Sequence, residues 1–409
     1  MKKLIGVTSF CVLLCVCVVG GLFSTVASAQ APVAPTIVVA TNDVHSSNSM
    51  SAYVDNPPYT TLTPLPGSPY STDSIAQPGP YATSGIAQAA GTQGTRCTYV
   101  SDGLGPNGDG TNSDIAVFRG TLSATHLVEN FFSGQGFSGI EYGIGLSING
   151  KYLYAYYSGS VVIEVLQIDP STCKLTDTGH GVDASGPGLG IAVSITARAG
   201  NCLFATYGDG SVGSYKIGGG NINLVEQQFT GGNTTFGGIP AMAAVTKDGY
   251  VLFDDALTNG ALYDAYKIGS GCQMTSNPVS GPYFVTIHNS NTFVLAPDGS
   301  TIYTIGQASG TIETNHYSGN GLVTETSCED VAMNGFGTNF AFPGTGATPT
   351  TIGAGNGLFV AEASGFGGGV SHVGAFLSFR GCLINGGQFQ TDAHSIGTQY
   401  LITLAQPSQ

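Results

Sequence analysis

The sequence contains no tryptophan, and only 9% of its 409 residues are charged. Lacking tryptophan, it falls outside the Trp-marked repeat families, WD repeats and Asp-box sialidase types among them. Basic residues are scarce: Lys and Arg number 11 against 25 Asp and Glu. A surface of that sign repels nucleic acid and anionic membranes, so neither is an expected partner. There is no C-x-x-C pair and no H-x-E or H-x-x-x-H motif, which removes the usual zinc signatures. There is no G-x-S-x-G elbow to raise a serine nucleophile. Beyond residue 23 no apolar run is long enough to cross a bilayer.

The N-terminus is where the long apolar run lies. Lys2 and Lys3 precede an apolar stretch at 4–23, followed by Val26-Ala27-Ser28-Ala29-Gln30. Positive start, apolar centre and small-x-small exit are the parts of a secretory signal, with cleavage expected after Ala29. Residues 1–29 are read as signal peptide and 30–409 as one domain, exported to the periplasm, cell surface or medium. Without its two signal lysines the mature chain keeps nine basic residues and a net charge near −16. Six cysteines remain outside the signal: Cys97, Cys173, Cys202, Cys272, Cys328 and Cys382. An even set in an exported chain is expected to form disulfides, with fifteen pairings open.

Glycine is abundant, at 62 residues, and 42% of the chain is hydrophobic. The pattern is repetitive. A β-rich run, a turn and a second β-rich run recur seven times, beginning at Thr36, Cys97, Lys151, Asn201, Gly249, Ser300 and Gly357, at intervals of 48 to 61 residues. Between repeats lie small-residue stretches, such as 188–195 and 238–245, which suit an innermost strand near a crowded axis. Each repeat also ends in a polar β segment, such as 174–178 or 223–229. No long segment has helical periodicity. Four short strands about every 50 residues are the mark of a propeller blade. The expected fold is therefore all-β: a seven-bladed β-propeller of four-stranded antiparallel blades. Nothing before Thr36 can be the first inner strand, and "HSIGTQYLITLA" from His394 has no blade left to open. The C-terminal segment is expected to fill that place and close the ring.

The stretch "YVSDGLGPNGDGTNSDIAVF" at 99–118 is crowded with Asp, Asn and Gly. Its spacing departs from an EF-hand loop, which needs glycine at position six and an acid at position twelve; from Asn107 those places hold Asn112 and Phe118. It reads as the turn between two strands, with side chains bonding local backbone. The glycine-rich "GGGN" at 218–221 and "GFGGGV" at 365–370 open no helix, so they too are turns.

Acids recur just after the second strand of five repeats: Asp43, Asp102, Asp209, Asp254 with Asp255, and Glu362. Tyr157 and Gln307 stand there in the other two. Ring symmetry would gather these acids at one mouth, where they could hold Ca²⁺, the candidate cofactor, or a cationic ligand. The alternative is that they cap hairpin turns in solvent. Of seven histidines, His288 in "YFVTIHNSN" is the best candidate for a general base, because it precedes a second strand and could face the channel. The alternative there is a hydrogen-bonded structural histidine.

The repeats resemble one family. "TPLPGSPYSTD" at 63–73, "ATNDVHSSNSMSAY" at 40–53, "LQIDPSTCKLT" at 166–176, "LAPDGSTIYTIG" at 295–306 and "VTKDGYVLF" at 245–253 are similar to blades of the seven-bladed propeller lactonases, the 6-phosphogluconolactonase-like family. The likeness covers nearly all of the mature chain. It implies hydrolysis or formation of a sugar-acid lactone at one mouth of the channel. It also implies an acid after the second strand, matched by Asp254 or Asp255. Members active on phosphorylated or carboxylated lactones carry Arg-His after Gly-Pro. Here Ala241-Met242 follows Pro240 and Gly188-Leu189 follows Pro187, so the base and the anion-binding arginine are missing at those places.

Two functions stay open: a lactone hydrolase using His288, Asp254 and Asp255, and a non-catalytic propeller that binds a glycan, peptide or envelope partner. A monomer is expected in either case. One disulfide is expected between Cys173, in the outer hairpin of the third repeat, and Cys202, at the start of the second strand of the fourth, because neighbouring repeats could bring them together.

Overall fold

The computed structural model describes residues 36–405 except for a number of connections, among them 43–48, 103–113, 134–145, 286–289, 342–356 and 364–371. Among the described residues there is no helix; thirty strands form seven sheets, all paired antiparallel. The fourth sheet shows the pattern. Ala192–Ala199, Cys202–Tyr207, Ser211–Gly218 and Asn221–Phe229 pair in chain order. Every residue of Cys202–Tyr207 is buried, whereas Asn221–Phe229 is mostly half-buried or exposed. That gradient explains the composition of each repeat. A middle strand covered on both faces must be apolar throughout, and an outer strand tolerates polar residues.

The second, third, fifth, sixth and seventh sheets follow the same order. In the first, the strand paired to Thr36–Asn42 on its inner side is the C-terminal Leu401–Ala405, with Thr36 opposite Ala405 and Ala40 opposite Leu401. The first strands of successive sheets touch. Thr83–Ala90 meets Leu146–Asn149, which meets Ala192–Ala199, then Ile239–Val245, Ser290–Leu295 and Phe336–Ala341. Leu401–Ala405 in turn touches both Phe336–Ala341 and Thr83–Ala90.

The disulfides are Cys97–Cys173, Cys202–Cys272 and Cys328–Cys382. The expected Cys173–Cys202 bond is therefore wrong, although its two kinds of position were right. Cys97 and Cys202 lie in second strands, and Cys173 and Cys272 lie in the turns that follow third strands. The outer turn folds back onto the preceding sheet, so Cys173 reaches the second sheet and Cys272 the fourth. Both turn cysteines have positive φ, 63° and 73°, a bend that directs the chain toward that neighbour. The bonds join the second sheet to the third, the fourth to the fifth and the sixth to the seventh.

Polar contacts tie the intervening seams. Between the fifth and sixth sheets, Asp248 is the hub. Its Oδ1 accepts from the Tyr317 hydroxyl at 2.8 Å and the Thr246 hydroxyl at 2.5 Å, and its Oδ2 accepts from the Asn320 N–H at 2.8 Å. Partial burial opposes the charged form, but these donors outweigh it and hold the carboxyl below its ordinary range. Asp248→Ala strands the hydroxyl of buried Tyr317 and is expected to cost about 1–2 kcal/mol at neutral pH. A lowered folded-state pKa means this stability is complete above the unfolded value, about 3.9, and is lost as pH falls through the folded one. Urea melts of both proteins should thus differ at pH 7 and converge in strong acid; equal midpoints at pH 7 would remove Asp248 from this role.

Candidate functional site

Four neighbouring sheets close their central hairpin with the same backbone bond. Ile168 N–H donates to Lys151 O at 2.8 Å, Ile217 to Asn201 at 2.8 Å, Ile268 to Gly249 at 3.0 Å and Tyr317 to Ser300 at 2.6 Å. Four residues before each donor stand Glu164, Gly213, Asp264 and Glu313. An even offset in a strand keeps the same face, and that face meets the preceding sheet: Ile168 packs with Cys97 and Tyr99, and Ile217 with Tyr154. Tyr317 likewise packs with Leu252 and Tyr263. Three carboxylates therefore point into successive seams at one level. Asp264 is 1% and Glu313 5% exposed. Burial, helped by neighbouring Asp177, pushes the half-buried Glu164 carboxyl up to about 7.

In the fourth sheet glycine replaces the acid, and a tyrosine hydroxyl takes the room. A Cβ on Gly213 would lie 2.7 Å from Tyr207 Oη. That hydroxyl is bonded to the Tyr215 hydroxyl and accepts from Gln227 Nε2 at 3.2 Å. The level thus stays polar through all four sheets.

The densest part lies between the fifth and sixth sheets. Asp254, in Tyr250–Leu257, is directly opposite Tyr263 of Gly260–Lys267. Across the seam, Thr304 of Thr301–Gly306 is opposite Glu313 of Thr311–Tyr317. The Tyr263 and Thr304 hydroxyls are hydrogen-bonded, which ties the two pairs together. Complete burial drives the Tyr263 phenol well above its ordinary pKa, and the charges of Asp254 and Glu313 push in the same direction. Two carboxylates, two hydroxyls and the carboxamide of Asn315 so share one water-poor seam.

Of the residues singled out by sequence, Asp254 belongs to this seam and is 0% exposed. It lies inside its strand rather than after it. Asp255 is in register with Leu262 of the same sheet. Asp102 is the last residue of Thr95–Asp102, and Glu362 lies within Gly357–Ala363. Asp209 alone sits in a turn, where its Oδ1 accepts the Ser211 N–H at 3.0 Å. The supposed shared place after the second strand is thus several places, because pairing runs further along some hairpins than others. Asp43, His288 and residues 103–113 lie outside the described residues. Among the described residues, no three of His, Cys, Asp and Glu gather as a metal group.

The inner strand Ile239–Val245 explains the missing partner of Asp254. Met242, which stands where the lactonase resemblance implies histidine, is in register with Asp254, and Pro240 with Asp255. Sequence reasoning overlooked Glu164, Asp264 and Glu313. The available signal was one acid in each of three apolar third strands, "VVIEVLQI", "ALYDAYKI" and "GTIETNHY".

No protein-family model and no curated protein sequence matches the chain. Solved structures do match its fold. A protein from Lactobacillus plantarum is 15% identical with a TM-score of 0.62, covering 90% of this chain and 98% of its own. A functionally unknown protein from Desulfotomaculum acetoxidans is 11% identical with a TM-score of 0.56, covering 87% and 98%. The Pseudomonas aeruginosa periplasmic gluconolactonase PpgL is 14% identical with a TM-score of 0.54, covering 73% and 82%. At these identities the likeness is one of fold.

Proposed function

We propose that the chain is an exported, monomeric, seven-bladed β-propeller of the lactonase type that takes a sugar-acid lactone at one mouth of its channel. The fold likeness to a periplasmic gluconolactonase over 73% of the chain carries this reading. The seven sheets, the inner-strand contacts and the Thr36–Leu401 pairing support a closed ring. Three disulfides suit an oxidising compartment. In this reading His288 is the general base, Asp254 and Asp255 are the acids, and Asp43, Asp102, Asp209 and Glu362 belong to the rim, where Ca²⁺ is the candidate ion.

A second reading is a non-catalytic propeller that holds a glycan, peptide or envelope partner. Met242 in register with Asp254 favours it, because a thioether cannot move a proton for that acid. One experiment separates the two. The purified mature chain is offered five- and six-membered sugar lactones, with acid release followed in a pH-stat and ligand binding by melting shift. Lactonase activity predicts acid release above the blank, reduced about 10²-fold or more in His288→Ala. Melting shifts with glycans and no acid release would select the binding reading. Neither response to any lactone would end the lactonase proposal.

A further inference from the structure

The seam between the fifth and sixth sheets holds more oxygen donors than a packing contact requires. We propose that Asp254, Glu313, Asn315 and Thr304 form a buried site for one hard divalent cation, calcium by its chemistry, which bridges the two sheets. The site is separate from the rim acids and does not depend on lactone chemistry.

Register and packing place the donors together. Glu313 and Thr304 are directly opposed on one sheet, and Asp254 and Tyr263 on the other. The Tyr263–Thr304 hydroxyl bond spans the seam between the two pairs, and both carboxylates act electrostatically on Tyr263. Asp254 and Glu313 are 0% and 5% exposed.

Asn315 is the independent observation. It is 0% exposed, and neither its Oδ1 nor its Nδ2 finds a hydrogen-bond partner among the described residues. It faces this same seam. Its cross-strand partner Ile302 packs against Leu252 and Tyr263 of the fifth sheet. The next residue on its face, Tyr317, reaches Asp248 across the seam. Asn315 thus lies between Glu313 and a residue that already crosses. A buried carboxamide with nothing to bond is costly, and a cation beside its oxygen would satisfy it.

The chemistry selects the ion. All the donors are oxygens, with no thiolate or imidazole among them, which suits calcium or magnesium over zinc or copper. Two carboxylates match a 2+ charge, and low-dielectric surroundings make that neutralisation strong. Side chains from four strands cannot easily meet strict octahedral geometry, so calcium, with its variable coordination, is favoured over magnesium. Only two charged ligands imply modest affinity, a Kd of about 10⁻⁴–10⁻³ M, as in extracellular calcium modules.

The test uses the full mature chain. It is stripped with chelator, and melting is recorded against added CaCl₂ or MgCl₂, with bound metal counted by elemental analysis after equilibrium dialysis. The expected result is one calcium per chain and a melting midpoint that rises with calcium, less with magnesium. Glu313→Gln and Asn315→Leu should each weaken calcium binding about tenfold or more. Asn315→Asp, which adds a charged ligand, should tighten it, so one variant gains where a misfolded one could only lose. The rim variant Asp209→Asn should leave this affinity unchanged. Absence of calcium at millimolar free ion would overturn the proposal, as would binding that Glu313→Gln leaves intact. A stripped protein that responds to pH but not to calcium would show a shared proton in the ion's place, and would overturn it as well.

Discussion

A chain ending at Asp392 is expected not to fold. The strand Leu401–Ala405 is the inner neighbour of Thr36–Asn42, in register over five residue pairs from Thr36–Ala405 to Ala40–Leu401. It also touches the first strands of the second and seventh sheets. Its removal deletes one ladder and two lateral contacts at once. At about 1 kcal/mol net per ladder bond, with apolar burial of Leu401, Ile402 and Leu404 added, the loss approaches a typical total stability of about 5–15 kcal/mol. The truncation also bares Thr36–Asn42 as an edge, ready to pair with other chains. The check is far-ultraviolet circular dichroism with size exclusion. Aggregated or unfolded material is expected, with partial recovery when a 393–409 peptide is added before refolding. A truncated chain that melts like the intact one would show that the two ends do not hold each other.

Loss of the Cys202–Cys272 bond is the second large effect. The two residues are separated by 70 positions, and closing a loop of that size is worth about 4 kcal/mol in the chain-entropy account. Both cysteines sit in a buried cluster with Phe204, Val251, Phe253, Tyr266 and Met274. The Cys202→Ala, Cys272→Ala double variant therefore loses packing as well as the constraint. Its guanidinium midpoint should fall by several kcal/mol equivalents relative to the parent, in the absence of reductant on both sides. Refolding the parent under reductant should give the same deficit, less the packing share. A double variant within about 1 kcal/mol of the parent would mean that the fourth and fifth sheets hold together without the bond.

The strand pattern was legible in the sequence because it reports local and nearly local physics. Stretches such as "CLFATY" and "IPAMAAV" declare strands by being apolar and bounded by turn residues, and their recurrence about every 50 residues marks the repeated sheet. "GGGN" reads as a turn because its glycines take positive φ, and Gly219 and Gly220 do so at 61° and 83°. The orphan segment "YLITLA" was legible by counting: one sheet lacked an inner strand, and one strand lacked a sheet.

What sequence left open is which neighbour each face meets. Period two says that Glu313, Asn315 and Tyr317 share a face, but not that the face turns toward Asp254 and Asp248 rather than toward the seventh sheet. The Cys173–Cys202 expectation failed on the same point, since it placed the outer turn against the following sheet when the chain folds it onto the preceding one. Asp254 likewise reads as a mouth residue by position along the chain, and only packing buries it opposite Tyr263. The amino-acid sequence determined strands, turns and their order, because those depend on residues close together. The tertiary structure decided the seams, because the side on which one sheet covers the next is a property of their twist and mutual packing that no single repeat contains.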